Sequence, residues 1–171
     1  KGTYKDGKIH GEASLFYENG QKMNSGNYVM GKKDGQWRAW SNQGVLLGTN
    51  QWTQGSGNIT RWHDDGSKAS FGVYKDGRED GLWTSWHPNG KKSLLGSYAG
   101  GAHIDRWTAW HDNGNKDYEG SYKDSWQSGV WTFWHANGQK KAQGTYDRNA
   151  RVGDWNCWDE KGKKIVCPPL D

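Results

Sequence analysis

At 171 residues the chain has the length of one ordinary domain, yet hydrophobic residues make up only 32%, mean hydropathy is -1.16 and the formal net charge is +4. So few aliphatics would suggest disorder, but 13 Trp and an aromatic share of 14% exclude that reading, because large rings drive collapse. The 26 Gly disfavour helices, no apolar run approaches the ~20 residues of a membrane span, and Lys and Arg alternate with Asp and Glu without the basic block of a nucleic-acid surface.

Taken in chain order, the sequence repeats itself. Units open at Gly2, Gly26, Asn50, Gly72, Gly96, Gly120 and Gly144, giving spans 2–25, 26–49, 50–71, 72–95, 96–119, 120–143 and 144–167, with a tail at 168–171. Six units have 24 residues and the third has lost two. Such self-similarity marks a repeat architecture, so residues 1–171 are expected to form a single array.

Each unit begins Gly-x-Tyr, with Tyr4, Tyr28, Tyr74, Tyr98, Tyr122 and Tyr146, and with Trp52 in the third unit. Nine residues on (seven in the shortened unit) stands another glycine: Gly11, Gly35, Gly57, Gly81, Gly129 and Gly153. There it permits positive φ or close backbone approach at a bend between strands. Asp105 replaces it in the fifth unit, and Asp tolerates the left-handed region better than most residues.

The next strand carries two Trp three residues apart, as in Trp83 with Trp86 and Trp131 with Trp134, which a regular strand turns to opposite faces. Then comes a turn: His87 to Gly90 reads HPNG, His111 to Gly114 HDNG, His135 to Gly138 HANG. Pro88 fits position i+1 of a type I turn, followed by Asn89 and a left-handed Gly90. The loop then has three residues and sets the register. Trp86 faces Lys92, Trp62 Lys68, Trp110 Lys116, Trp134 Lys140, Trp158 Lys164 and Phe16 Lys22; Trp40 with Leu46 is the apolar variant. A Lys stem over a Trp face contributes roughly 0.5–1 kcal/mol, which helps so polar a chain hold a sheet. The expected fold is all-β: an elongated single-layer antiparallel sheet of seven stacked β-hairpin repeats, advancing roughly 9.6 Å per unit.

The pattern G-x-Y-x-x-G-x-x-x-G-x-W-x-x-W-x-x-N-G-x-K resembles the bacterial variant of the MORN repeat over essentially the whole chain. The resemblance implies a rod of hairpins with a groove along one face and a scaffold or interaction role. Membranes, protein partners, self-association and an antitoxin-like label all occur among such arrays.

No fingerprint of a hydrolase, metalloprotease, P-loop or dinucleotide site occurs, and a uniform repeat offers no asymmetric constellation for catalysis, so no enzyme is expected and no cofactor. His63, His87, His111 and His135 form a ladder, but rungs about 9.6 Å apart cannot share an ion, so no metal site is expected. Two functions remain. One is a protein-interaction or assembly scaffold, acting on a protein partner or on itself; the other is a glycan or cell-wall module stacking on Trp. Either would be centred on Trp86, Trp110 and Trp134 with Lys92, Lys116 and Lys140. If both Trp rows are core, nothing is left for recognition. No polybasic cluster or amphipathic helix supports a peripheral membrane role.

Cys157 and Cys167 are the only cysteines, diagonal neighbours in the last hairpin at a separation of ~7–8 Å that strand twist could close. A disulfide there implies an extracellular, periplasmic or cell-surface location. Pro168 and Pro169 remove two donors in a row and stop further strand addition. Lys1 and Gly2 enter in phase without a cap, which suggests that the natural chain continues upstream into repeats, a leader or an anchor.

Overall fold

The computed structural model describes residues 3–168; the expectations placed on Lys1, Gly2 and the tail beyond Pro168 lie outside the described residues. The chain forms two compact units, Lys1–Gly81 and Leu82–Asp171. The first contains strands β1 (Thr3–Lys5), β2 (Lys8–Phe16), β3 (Lys22–Val29), β4 (Lys32–Trp40), β5 (Leu46–Trp52), β6 (Gly57–Trp62) and β7 (Lys68–Lys75). The division falls within β8 (Arg78–Trp86). The second unit continues with β9 (Lys92–Ala99), β10 (Ala102–Trp110), β11 (Lys116–Lys123), β12 (Trp126–Trp134), β13 (Lys140–Asp147), β14 (Ala150–Trp158) and β15 (Lys164–Ile165). Consecutive strands pair antiparallel except β5 and β6, and no helix occurs among the described residues.

Two turn chemistries alternate. At the NG-type turns Gly90 has φ +78°, His87 N–H donates to Lys91 O at 2.8 Å and Gly90 N–H to His87 O at 2.9 Å, the three-residue geometry that Pro88 demands. The resulting register places Phe16 opposite Lys22, Trp40 opposite Leu46, Trp62 opposite Lys68, Trp110 opposite Lys116, Trp134 opposite Lys140 and Trp158 opposite Lys164. The other turns have two central residues, both at positive φ: Asp6 and Gly7 at +50° and +72°, Asp124 and Ser125 at +51° and +68°. That is the twist-matched hairpin connection. At the bend glycines, Gly129 has φ +74°, and Asp105 adopts +56° in its place. Gly57 differs: its backbone is ordinary, but a Cβ would stand 2.3 Å from Gln51 O.

In the shortened repeat the sheet is interrupted. Between β5 and β6 only the isolated bridge Thr53↔Ser56 is formed, so β1–β5 and β6–β7 belong to separate sheets, where the sequence predicts one continuous layer. Two missing residues leave too little strand to continue the ladder.

The core is a ladder of rings made by the Gly-x-Tyr tyrosines and the first Trp of each pair. In the second unit Trp83, Tyr98, Trp107, Tyr122, Trp131, Tyr146 and Trp155 follow one another edge to face, with centroids 5.0–6.0 Å apart. Trp131 is 1% exposed and Trp107 2%. The opening glycines make room for this: a Cβ on Gly96, Gly120 or Gly144 would come within 2.0–2.2 Å of the rings of Trp107, Trp131 and Trp155.

Cys157 and Cys167 are disulfide-bonded with Cα atoms 5.2 Å apart, closer than the flat-sheet diagonal. Closing this short loop limits the unfolded chain, so reduction should lower stability by about 2–3 kcal/mol. Alkylation of the native protein should add no label without reductant and two labels with it, as read by intact mass.

Candidate functional site

The two Trp rows differ in burial. Of the first row, Trp37, Trp83, Trp107 and Trp131 are buried in the ring ladder and Trp155 is half-buried, whereas Trp86, Trp110 and Trp134 of the second row are all half-buried. A reading with both rows fully in the core therefore does not describe the molecule. Lys92, Lys116 and Lys140 are exposed. Lys116 and Lys140 hold the expected register opposite Trp110 and Trp134, but the Lys116 ammonium meets the next indole along. Lys116 Nζ stands 5.3 Å from the ring of Trp134 and Lys22 Nζ 5.2 Å from that of Trp40, each in the following repeat. A Lys side chain is longer than the ~4.8 Å between strands, so it reaches the next indole. Lys116 also meets Glu119 Oε2 at 2.8 Å, and Arg106 pairs with the same carboxylate.

The turn histidines are structural. His87 Nε2 meets Trp110 O at 2.8 Å, His111 Nε2 Trp134 O at 3.1 Å, and His135 Nε2 Trp158 O at 2.9 Å; Tyr17 Oη does the same for Trp40 O at 2.9 Å. The turn asparagines repeat the motif, Asn89 donating to Asp112 O at 2.7 Å and Asn137 to Glu160 O at 2.7 Å. On the two-residue turns, Ser125 N–H donates to His103 O at 2.9 Å and Gly55 N–H to Lys33 O at 2.8 Å. In these repeats both ends of the hairpin are latched to the repeat that follows. Among the described residues no group of three or more His, Cys, Asp and Glu gathers as a metal site, and no helix is long and apolar enough to cross a membrane.

One feature escapes the repeat logic. The first unit bears a half-open cavity of about 580 Å³, walled by Tyr28, Trp37, Trp52, Ile59 and Tyr74 and bearing Lys33 and Arg61. Lys33 Nζ lies 4.2 Å from the ring of Trp37 and 5.0 Å from that of Trp52. Burial, and then the charge of Arg61, hold its pKa below the ordinary lysine value. Arg61 Nη2 donates to Tyr74 Oη at 2.9 Å, and that hydroxyl donates to Glu79 at 2.5 Å. Burial, followed by the bond to Glu79, raises the Tyr74 pKa. Lys33 stands in Lys32-Lys33-Asp34-Gly35, which reads as a solvated turn cation; its one legible signal is that the same position carries Ile9, Glu79, His103, Gln127 and Arg151 in other repeats.

The family model described as the MORN repeat variant matches residues 9–30, 79–99, 106–124 and 127–148. Nothing among the curated proteins matches the chain.

Proposed function

The chain carries repeats of the MORN repeat variant family, and on that premise we propose that it is a non-catalytic scaffold for protein–protein interaction or assembly, acting at the cell surface or elsewhere outside the cytoplasm. Repeats of this family are non-catalytic modules for protein or membrane interaction. The observation that carries the reading is the division of labour between the Trp rows. The buried row, the opening glycines and the turn latches account for the fold. The half-buried indoles of Trp86, Trp110 and Trp134, with exposed Lys92 and Lys140 and with Lys116, recur beside it as a patterned surface. A partly exposed apolar row can serve as a contact site, and its repetition every ~9.6 Å suits an extended partner engaged at several points. The Cys157–Cys167 bond supports an oxidising compartment.

Replacing Trp110 by Ala separates recognition from architecture. The melting point should fall by far less than a fully buried Trp would cost, about 3–5 kcal/mol. Proteins recovered with the wild-type chain from its native source should be lost. Collapse of the fold with nothing bound to lose leaves an architectural array only. Quenching or shifting of Trp emission by added polysaccharide, abolished in the variant, would instead assign the row to a glycan.

A further inference from the structure

We propose that the first unit holds a binding site for a carboxylate carried on a six-membered ring, with Lys33 as the group that recognises the acid. The cavity volume of about 580 Å³ falls within the range of small-molecule sites, about 300–1,000 Å³. Its walls are the faces and edges of Tyr28, Trp37, Trp52 and Tyr74, which suit a flat ring.

Lys33 supplies the charge. It is a half-buried cation with no hydrogen bond or ion pair among the described residues, resting only on the two indoles. The carboxylates nearby are engaged elsewhere: Asp76 pairs with Lys32 at 3.2 Å, and Glu79 accepts the Tyr74 hydroxyl. Burying an ammonium without a counter-charge is costly. The fold does not require one, because the same repeat position is filled by Gln127 beside an intact Tyr122–Trp131 ring contact. An anion placed against Lys33 would offset both pressures on it, burial and the nearby Arg61. A single ammonium balances the charge of a monoanionic carboxylate, whereas a phosphate dianion would need a second cation, and Arg61 Nη2 already donates to Tyr74.

This site lies in the first unit and does not depend on Trp110, so its failure and that of the scaffold reading are distinguishable. The test is titration of the full chain at neutral pH and low salt with sodium glucuronate and sodium benzoate, against glucose and inorganic phosphate. At least one acid should bind saturably, with glucose and phosphate at least tenfold weaker. The indole N–H resonances of Trp37 and Trp52 should shift while that of Trp131 stays in place. Lys33→Met should weaken binding at least tenfold, and Lys123→Met, at an exposed lysine of the second unit, should leave it unchanged. If Lys33→Met does not fold, the wild-type resonance shifts decide. An oligogalacturonate that binds more tightly than glucuronate identifies a polysaccharide chain end as the source; equal affinity identifies the free acid. Binding of neither acid, phosphate binding as tightly, shifts outside the cavity, or a folded Lys33→Met that binds as wild type would overturn the assignment.

Discussion

Trp131→Ala should destabilise the protein by about 3–5 kcal/mol, the cost of deleting a large ring from a site that cannot collapse. Trp131 is 1% exposed and lies between Tyr122 at 5.1 Å and Tyr146 at 6.0 Å, with Phe133 stacked at 6.1 Å and Tyr118 at 5.8 Å. Its indole N–H donates to Ser121 O at 3.2 Å, so truncation also leaves a carbonyl without its donor. Those neighbours are held by strand pairing on both sides and cannot move in to fill the space. Against a typical total stability of about 5–15 kcal/mol, the loss is a large share. Urea denaturation followed by circular dichroism measures it, with Trp110→Ala as comparison. Equal losses for the two variants would show that the rows are not divided as described.

Gly120→Ala should cost nearly as much, about 3 kcal/mol, the upper end for overpacking a filled core. The backbone at Gly120 has no positive φ, so conformation alone would admit alanine. The obstacle is the indole: the new methyl would stand 2.1 Å from Cδ2 of Trp131. That ring has Tyr122 and Tyr146 against its sides and cannot retreat. Gly129→Ala is the informative contrast, since nothing lies within 4 Å and only its φ of +74° is violated. That costs about 1–2 kcal/mol. In a Trp131→Ala background Gly120→Ala should become far milder, because the two changes act on one contact and cannot add. Additive losses in that cycle would show that the glycine serves some other purpose.

These two residues also show what could be read before the structure. The 24-residue period makes Gly120 and Trp131 recur in phase, but composition does not say that the ring of one lies flat on the backbone of the other. Turn chemistry was more legible: a three-residue loop of the kind Pro88 requires sets the first pair behind each such turn, as in Trp158 opposite Lys164, while the one-residue register shift that follows at Ala109/Trp110 and Phe133/Trp134 has no signal in the turn. Side-chain aim was not, because Lys116 can reach either flanking strand and only packing decides that it reaches Trp134. The Lys33 cavity was the least legible. It combines residues from β3 to β7 around the interrupted ladder at Thr53 and Ser56, a non-local result of two absent residues. The row of Trp86, Trp110 and Trp134 could be located from the period, while its half-burial is set by packing that the period does not specify.

The latches between repeats join residues a fixed distance apart: 23 positions for His87 with Trp110 and for Asn137 with Glu160, 22 for Ser125 with His103. Folding rates of small proteins fall as contacting residues lie further apart along the chain, and all-β folds are usually slow for that reason. Here the loop that must close to form a latch does not lengthen as repeats are added. Conformational search is confined to one repeat at a time, and each completed hairpin offers a template edge to the one made next. Length is therefore kinetically inexpensive in this architecture: an array of twice as many repeats would face the same elementary closure step, taken more often.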